Sequence, residues 1–290
     1  MPPHFKQVTI IGVGLIGGSL GIILKQQRMA DSVVGLGRTV ENLQLAVKVG
    51  AIDRYERDPQ PALLGTDLVI LATPVDSYAS QVEAWGHLLE PGTIVSDVGS
   101  IKGPLVEHME KLLPPGIRFV GAHPIAGKEK SGAGEATSDL FQKALCIVTP
   151  TSRTDSDALS VIKELWTAAG SNLVSIDPFT HDRMLGAVSH LPHIVAFALM
   201  NALTDLQGTG DQQEDLLKFS GGGLRDTTRI AASSPEMWRD ICLGNRDNLI
   251  SMIERYEHHL KTFKTLLQNQ DSMGLEHAIH QAKEARLRLP

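Results

Sequence analysis

A histidine next to a proline is the first candidate for chemistry in this sequence. Residues 121–129 read Gly-Ala-His-Pro-Ile-Ala-Gly-Lys-Glu and come directly after an apolar run typical of a strand. The proline restricts the backbone of the residue before it, so His123 is predicted to hold a fixed direction at a strand end. A neutral imidazole can accept a proton from an alcohol while a hydride leaves the carbon, which makes His123 a candidate base. A structural histidine with satisfied hydrogen bonds is the alternative.

A second polar segment reads Ser189-His190-Leu191-Pro192-His193. Its His-x-x-His spacing would suit a metal ion only if a third ligand were available. No cysteine, aspartate or glutamate is convincingly placed to supply that ligand. The sequence therefore predicts no metal site here.

A glycine cluster, Gly221–Gly223, precedes a predicted helix that carries Arg225 and Arg229 four residues apart. Three successive glycines indicate a close approach of the backbone to another group. Two arginines on one helix face can pair in a bidentate manner with a dicarboxylate substrate. The alternative is a surface network between these arginines and neighbouring aspartates.

The sequence Gly12-Val13-Gly14-Leu15-Ile16-Gly17 follows a predicted strand and begins a helix. In a dinucleotide site, Gly12 would permit the tight turn, Gly14 would admit the pyrophosphate, and Gly17 would allow close packing of helix on strand. The first helical residues, including Leu15 and Ile16, would offer free N–H groups to the phosphates. We therefore predict that this turn binds NAD or NADP.

The end of the second predicted strand favours NADP. Dinucleotide sites for NAD place an acidic residue there to accept the 2′-hydroxyl of the ribose. This chain has Gly37 at that position, followed by Arg38 and Thr39, which could bind a 2′-phosphate. A solvated surface arginine is the alternative interpretation of Arg38.

Two further strand ends are expected to face the cofactor, because ligands bind at the carboxyl ends of parallel strands. One is Thr73-Pro74, and the other is the segment Asp97–Lys102, which includes Val98. Ser100 and Lys102 are predicted to face the nicotinamide. Ser100 is also a candidate N-cap for the helix that follows, a role compatible with catalysis.

The elements that position these residues are strands and helices in alternation, which predicts a doubly wound parallel sheet. The predicted strands mostly lack alternation of apolar and polar residues, as expected for strands covered on both faces. They span 8–11, 32–36, 67–73, 93–98, 119–122, 144–150 and 172–176, with amphipathic helices between them. The fold class is therefore α/β, with a dinucleotide-binding Rossmann-type domain over residues 1–176.

From residue 177 to residue 290 the pattern is helical, which predicts an all-α second domain for substrate binding and dimerisation. An apolar stripe from Trp238 to Leu267 recurs at near-heptad spacing with one polar interruption. A stripe of this length indicates that a second helix or another subunit packs on it. A long helix that closes the core of its own domain is the alternative.

The composition excludes several classes of protein. The 290 residues carry 27 Lys+Arg against 33 Asp+Glu, a net charge of −6, which argues against a nucleic-acid-binding protein. Two cysteines exclude a disulfide scaffold and fit a reducing cytoplasm. Residues 8–24 are apolar but are interrupted by five glycines, so we expect neither a signal peptide nor a membrane partner.

Six segments, taken together and in order, resemble the prephenate/arogenate (cyclohexadienyl) dehydrogenase family of tyrosine biosynthesis. They are GVGLIGGSL, ATPV, DVGSIK, GAHPIAGKEKSG, SHLPH and GGGLRDTTRIA, and the resemblance extends from Val8 to about Tyr256. It implies an oxidoreductase that removes a hydride and CO2 from prephenate, arogenate or both, with NADP or NAD as cofactor. The length of the chain favours a monofunctional form, and the resemblance implies a homodimer paired through the helical domain.

The resemblance also implies roles for single residues. His123 corresponds to the catalytic histidine that assists deprotonation of the ring hydroxyl, and Ser100 to the serine that orients it. Arg229 corresponds to the arginine that binds a substrate carboxylate, whereas His193 and Ser189 correspond to active-site positions of the second domain. A gate around the pocket, which Gly222 adjoins, would contain Glu129, Arg225, Asp226 and Trp238, although the family commonly has lysine where this chain has Arg225.

Two other functions remain open on the sequence. One is a β-hydroxyacid-dehydrogenase-like oxidoreductase, although such enzymes usually use a lysine where this chain offers His193 and Arg229. The other is a non-catalytic dinucleotide sensor, which would have no need of a base such as His123.

Overall fold

A six-stranded parallel sheet forms the centre of the first part of the chain. In this computed structural model, which describes residues 2–127, 132–206 and 216–289, the strand order is β3-β2-β1-β4-β5-β6. The strands are β1 (Phe5–Ile11), β2 (Ala30–Leu36), β3 (Arg54–Glu56), β4 (Leu68–Leu71), β5 (Ile94–Asp97) and β6 (Arg118–Val120). Every residue of β4 and β5 is buried, as expected for apolar strands covered on both faces.

Helices cover both faces of this sheet. They are α1 (Leu15–Gln26), α2 (Val40–Lys48), α3 (Pro59–Leu63), α4 (Tyr78–Trp85), α5 (Gly103–Leu112) and α6 (Ser156–Ala168). The strand order reverses between β1 and β4, which opens a crevice at the carboxyl ends of these two strands. The edge strand β3 is absent from the sequence prediction, because three residues without an apolar run give no strand signal.

A second, three-stranded sheet follows, in the order β7-β8-β9. Its strands are β7 (Ala122–Pro124), β8 (Leu145–Val148) and β9 (Asn172–Ser175). The predicted strand 119–122 is therefore divided between β6 and β7, because the chain changes sheets at Gly121. A side chain at Gly121 would lie 2.5 Å from the Thr149 hydroxyl oxygen, so only glycine fits at this change of direction. His123 consequently follows β6 and lies within β7, which is antiparallel to β8.

The described residues after Ser175 are mostly helical. The helices are α7 (Pro178–Leu185), α8 (Leu191–Leu206), α9 (Gly222–Thr228), α10 (Pro235–Gly244), α11 (Arg246–Gln268) and α12 (Ser272–Arg286). We call the part that ends at Ser175 the sheet half and the part that begins at Pro178 the helical half. The predicted α/β class with a parallel Rossmann-type sheet and an all-α second part is confirmed.

A π-helical turn, Gly186–His190, joins α7 to α8. Such turns widen a helix by one residue and often occur at functional sites. By length and composition, Pro178–Leu206 is apolar enough to span a membrane. Two residues of α7, His181 and Asp182, are buried at the boundary with the sheet half.

The predicted apolar stripe from Trp238 to Leu267 does not form one helix, because α10 ends and α11 begins at Asn245. Asn245 is buried, and its amide nitrogen donates to the carbonyl oxygen of Asp182 at 2.7 Å. The polar interruption in the stripe is therefore a helix boundary with a structural partner.

Candidate active site

The glycine-rich turn has the shape that the sequence predicts. Gly12 has a φ of +94°, and a side chain there would lie 2.7 Å from the backbone of Ala72. A side chain at Gly17 would lie 2.5 Å from the carbonyl oxygen of Gly12. By contrast, nothing lies within 4 Å of the position that a side chain at Gly14 would take. Two glycines therefore serve packing, while the third leaves open space beside the helix.

The N-terminus of α1 adjoins this space. Gly14 is its N-cap residue, and no side chain caps the helix there. Leu15 is buried and Ile16 is partly buried, so their backbone N–H groups, with the positive end of the helix dipole, are held in place. An uncapped helix N-terminus next to an open glycine fits the pyrophosphate of a dinucleotide.

The remaining predicted cofactor residues lie at the carboxyl ends of strands. Gly37, Arg38 and Thr39 directly follow β2, and both Arg38 and Thr39 are exposed. The hydroxyl of Thr73 lies 3.0 Å from that of Ser77 and accepts a hydrogen bond from the Gln81 amide at 2.9 Å.

The last two of these residues lie at the ends of β4 and β5. Pro74 is exposed beyond β4, and the N–H of Val98 donates to the carbonyl oxygen of Leu71. The fold thus brings the three strand ends to the crevice beside the glycine-rich turn.

His123 is nearly buried, with 8% of its surface exposed. Its Nδ1 lies 2.8 Å from Nε2 of His181, while Nε2 of His123 has no hydrogen-bond partner in the part of the chain that the structure describes. Burial, reinforced by the charge of Lys102, lowers the pKa of His123 well below its usual value. The imidazole is therefore neutral at neutral pH, as a proton acceptor must be.

The sequence analysis missed the two residues behind His123. Nδ1 of His181 donates to Oδ1 of Asp182 at 2.8 Å, and both side chains are almost completely buried. The two oxygens of Asp182 accept the backbone N–H groups of Lys102 and Gly103, each at 2.7 Å. A carboxylate from the helical half thus caps α5 of the sheet half.

This capping corrects the interpretation of Ser100. Ser100 does not cap α5, because Asp182 occupies the first N–H groups of that helix. The Ser100 side chain is half-buried and makes no hydrogen bond to His123 or to any other described residue. Its position two residues before Lys102 still places it at the end of β5, near the crevice.

The sequence analysis predicted that Lys102 faces the nicotinamide, and this is wrong. Lys102 is fully buried. Its ammonium group lies 2.6 Å from Oδ2 of Asp97 and 2.6 Å from the carbonyl oxygen of Gly99. Asp97 also accepts the N–H groups of Gly99 and Ala122. This pair fixes the loop that carries Ser100 and ties it to the strand that carries His123.

In the helical half, His193 stacks on Trp238 with 3.7 Å between ring centroids. Nδ1 of His193 donates to the carbonyl oxygen of Ser189 at 2.8 Å, so Nε2 is the free nitrogen. Burial and the charge of Arg229 lower the pKa of His193. The π-helical turn that contains Ser189 thus orients a neutral histidine next to a cation.

His190 contacts the same Trp238 as His193 but has a different hydrogen-bond partner. Its Nδ1 accepts from the Asn245 amide at 3.0 Å, and its ring meets Trp238 edge to face. Burial lowers the pKa of His190 to about 4. The two histidines of the His-x-x-His segment therefore have different hydrogen-bond partners, although both rings contact Trp238.

The arginines are arranged differently from the prediction. Arg225 lies in α9, but α9 ends at Thr228 and Arg229 begins a 3-10 turn, so the two do not share one α-helical face. Both are exposed, as is Gly222 at the start of α9. Glu129, the remaining predicted gate residue, lies outside the described residues.

A small apolar cluster closes the boundary between the two halves. Ile101, one residue after Ser100, packs against Trp238 and Ile241 of α10. A side chain at Gly244 would overlap the end of the Ile101 side chain, so Ile101 would have to shift to admit one. The charge of His190 also contributes to lowering the pKa of His123, which shows that the two sets of histidines are electrostatic neighbours.

Sequence comparison matches the chain to two consecutive family models. Residues 20–175 match the nucleotide-binding domain of prephenate dehydrogenase, and residues 177–281 match its dimerization domain. Prephenate dehydrogenase of Bacillus subtilis is 33% identical over 98% of this chain and 76% of its own length.

Solved structures give the same result. Prephenate dehydrogenase from Aquifex aeolicus, in complex with hydroxyphenyl propionate and NAD+, has a TM-score of 0.92 and 35% identity over 98% of both chains. Synechocystis arogenate dehydrogenase has a TM-score of 0.80 and 29% identity, covering 97% of this chain and 98% of that one. A Salmonella typhimurium 3-hydroxyisobutyrate dehydrogenase, with 14% identity and a TM-score of 0.57, shares the fold alone.

Proposed function

Because this chain belongs to the prephenate dehydrogenase family, we propose that it catalyses the oxidative decarboxylation of prephenate, arogenate or both. One observation carries the proposal: a buried, neutral His123 whose Nε2 receives no hydrogen bond from the described residues, held where the crevice of the sheet half meets the helical half. A chain that only sensed a dinucleotide would have no use for such a base.

The nicotinamide dinucleotide that the family uses fits the crevice at Gly14 and the N-terminus of α1. When bound there, its nicotinamide ring would accept the hydride that leaves the substrate. Gly12 and Gly17 allow this turn to pack closely on its surroundings, because neither position has room for a side chain.

The residues of this chain perform the other tasks. His123 accepts the proton of the ring hydroxyl at Nε2 while the hydride leaves the same ring, and the ring carboxylate departs as CO2. The ring becomes aromatic, so the step is effectively irreversible. A positioned base of this kind contributes about 10²–10⁴-fold to the rate. His193 and Arg229 of the helical half bind the substrate carboxylates and hold the ring against the crevice.

The experiment is a spectrophotometric assay for reduced nicotinamide with prephenate and with arogenate, each with NADP and with NAD. We expect turnover with at least one of the substrates. Turnover with a β-hydroxyacid and with neither cyclohexadienyl substrate would favour the alternative dehydrogenase. The absence of turnover with all of them, despite cofactor binding, would favour a sensor. The ratio of kcat/KM for prephenate to kcat/KM for arogenate shows whether the enzyme prefers a substrate with a keto side chain or one with an amino side chain.

We further propose that NADP is the preferred cofactor. Support comes from the missing carboxylate at Gly37 and from the exposed Arg38 beside it. An aspartate at residue 37 would place its Cβ 3.2 Å from Cδ2 of Leu43, a contact that a leucine side chain can relieve by a small shift. Gly37→Asp should lower the NADP-to-NAD ratio of kcat/KM roughly tenfold, about the worth of one charged contact. Arg38→Ala, as a matched control, should weaken NADP alone, and an unchanged ratio in both variants would contradict the preference.

We also propose that two copies pair through the helical half. The match of residues 177–281 to a dimerization domain supports this, as do the exposed apolar side chains of α11, among them Leu260 at 51% and Leu267 at 63%. Sedimentation should give twice the mass of the chain, and a monomer at micromolar concentration would contradict the proposal.

A further inference from the structure

Three buried side chains form a hydrogen-bonded line across the boundary between the two halves. His123 lies in β7 of the sheet half, whereas His181 and Asp182 lie in α7 of the helical half. The distances are 2.8 Å from Nδ1 of His123 to Nε2 of His181, and 2.8 Å from Nδ1 of His181 to Oδ1 of Asp182. His181 is completely buried, and the established tasks of binding cofactor and substrate do not require it.

The chemistry of the line determines where its protons lie. Asp182 already accepts two backbone N–H groups of α5, so its oxygens act as acceptors and His181 must donate to it from Nδ1. Burial lowers the pKa of His181, which favours the neutral ring with a single proton. That proton lies on Nδ1, so Nε2 of His181 carries a lone pair. The neighbouring Nδ1 of His123 must then donate, which leaves the lone pair of His123 on Nε2.

We propose that His181 is a positioning residue for the reaction, which holds His123 as the Nδ1–H tautomer so that Nε2 is its base. This inference rests on the proposed function, in which Nε2 of His123 accepts the hydroxyl proton. Without an acceptor beside Nδ1, the proton of a neutral imidazole could equally occupy Nε2, and the ring would then offer the substrate a donor instead of a base.

The same line offsets the charge that forms on His123 during turnover. Among the described residues, the charged or titratable groups around the ring besides His181 include the ammonium of Lys102, the carboxylate of Asp97 paired with it, His190 and the thiol of Cys146, which contacts the backbone of His123. Lys102 disfavours an imidazolium. His181, through its bond to Asp182, is the part of the surroundings that can transmit negative charge to Nδ1 of His123.

The line also makes the base depend on contact between the two halves. Asp182 binds α5 of the sheet half, and the residue before it in the chain binds His123 of the same half. A displacement of α7 would therefore remove the acceptor from Nδ1 of His123. The base is competent only while the halves are docked.

A matched pair of variants separates the two bonds of His181. An asparagine amide reaches about as far as Nδ1 and can still donate to Asp182, but it offers nothing to His123. A glutamine amide reaches about as far as Nε2 and can still accept from Nδ1 of His123. His181→Asn should lower kcat about 10- to 100-fold, part of the 10²–10⁴-fold worth of a positioned base. His181→Gln should retain most of kcat, and KM should change little in either.

The tautomer itself gives a readout that does not depend on activity. NMR of isotope-labelled histidine nitrogens, with the His123 signals assigned by their loss in His123→Asn, distinguishes the protonated nitrogen from the free one. We expect Nδ1–H in the wild type and in His181→Gln, and mixed tautomers in His181→Asn. Thermal unfolding and cofactor affinity establish that each variant is folded.

Three results would overturn the proposal: an Nε2–H tautomer in the wild type, wild-type kcat in His181→Asn, or equal loss of kcat in the asparagine and glutamine variants. If the wild type turns over neither substrate, the proposed function fails, whereas the NMR measurement still decides the tautomer.

Discussion

The two halves of this molecule differ in how much of their apolar surface they bury alone. The sheet half contains two clusters of buried apolar side chains, one on each side of its parallel sheet. In the helical half, α8 buries only Ala196, α11 buries only Leu249, and α12 buries no residue. A self-contained core can hold reactive groups in fixed positions, whereas a half with exposed apolar helices depends on its neighbours.

This contrast assigns different tasks to the halves. The rigid half carries the glycine-rich turn and His123, so changes there should act on kcat. The other half carries Arg229 and His193, so changes there should act on KM. His181 is the expected exception, because it lies in the helical half but contacts the base.

The largest effect is expected at His123. His123→Asn removes the proton acceptor, so kcat should fall by about 10²–10⁴-fold, the usual contribution of general-base catalysis. Cofactor affinity should stay near the wild-type value, since the glycine-rich turn is untouched. Steady-state kinetics and fluorescence titration with the cofactor measure the two quantities. A variant with near-normal kcat would show that the sheet half does not supply the base.

A smaller effect, on KM, is expected at Arg229. Arg229→Ala should raise KM by about 10- to 100-fold, because a charged hydrogen bond contributes about 1.5–3 kcal/mol. Arg229→Lys keeps the charge but loses the bidentate geometry, so its KM should lie between the KM of the wild type and that of Arg229→Ala. Initial rates over a range of substrate concentrations give both constants. A loss confined to kcat would contradict the division between the halves.

The smallest effect concerns acid stability at the boundary. The pKa of His190 is about 4 in the folded protein and near 6.5 when unfolded, so the unfolded state binds more protons between these values. The stability that His190 contributes is complete above about pH 6.5 and is lost as the pH falls toward 4, with a loss of about 2 kcal/mol at pH 5.

Urea unfolding of the wild type and of His190→Gln, at pH 7 and pH 5, measures this contribution. The variant should lose less stability on acidification, because glutamine takes up no proton. Equal losses would show that the boundary between the halves tolerates a charged His190.

Much of the sheet half could be predicted because its signals are local. Gly12 and Gly17 belong to a short motif that follows a strand and begins a helix, so they can be recognised within a few residues, although Gly12 packs against Ala72 of the neighbouring strand end. His123 was identified because a proline follows it. The expected strand over 119–122 is divided between β6 and β7, and the sequence did not predict this because the change of sheets at Gly121 depends on the distant Thr149.

The missed residues act across long separations in the chain. Asp182 binds backbone groups 79 and 80 residues away, and His181 binds His123 across 58 residues. The sequence did contain one signal for His181 and Asp182: they are two adjacent titratable residues on the apolar side of a predicted helix. Lys102 was placed wrongly for a related reason: nothing in a lysine after a strand distinguishes a crevice-facing ammonium from one buried on Asp97.

The contact between Gly244 and Ile101 limits how this enzyme can be recombined. Because a side chain at Gly244 would displace the end of the Ile101 side chain, the spacing of α10 from the loop after β5 depends on a pair of residues 143 positions apart. A chimera that joins this sheet half to the helical half of a relative would need a compatible residue on each side of the junction. The two halves therefore have to be compatible at this contact. A swap of the first 176 residues to exchange cofactor preference should succeed only when the residue that faces Ile101, here Gly244, is transferred as well.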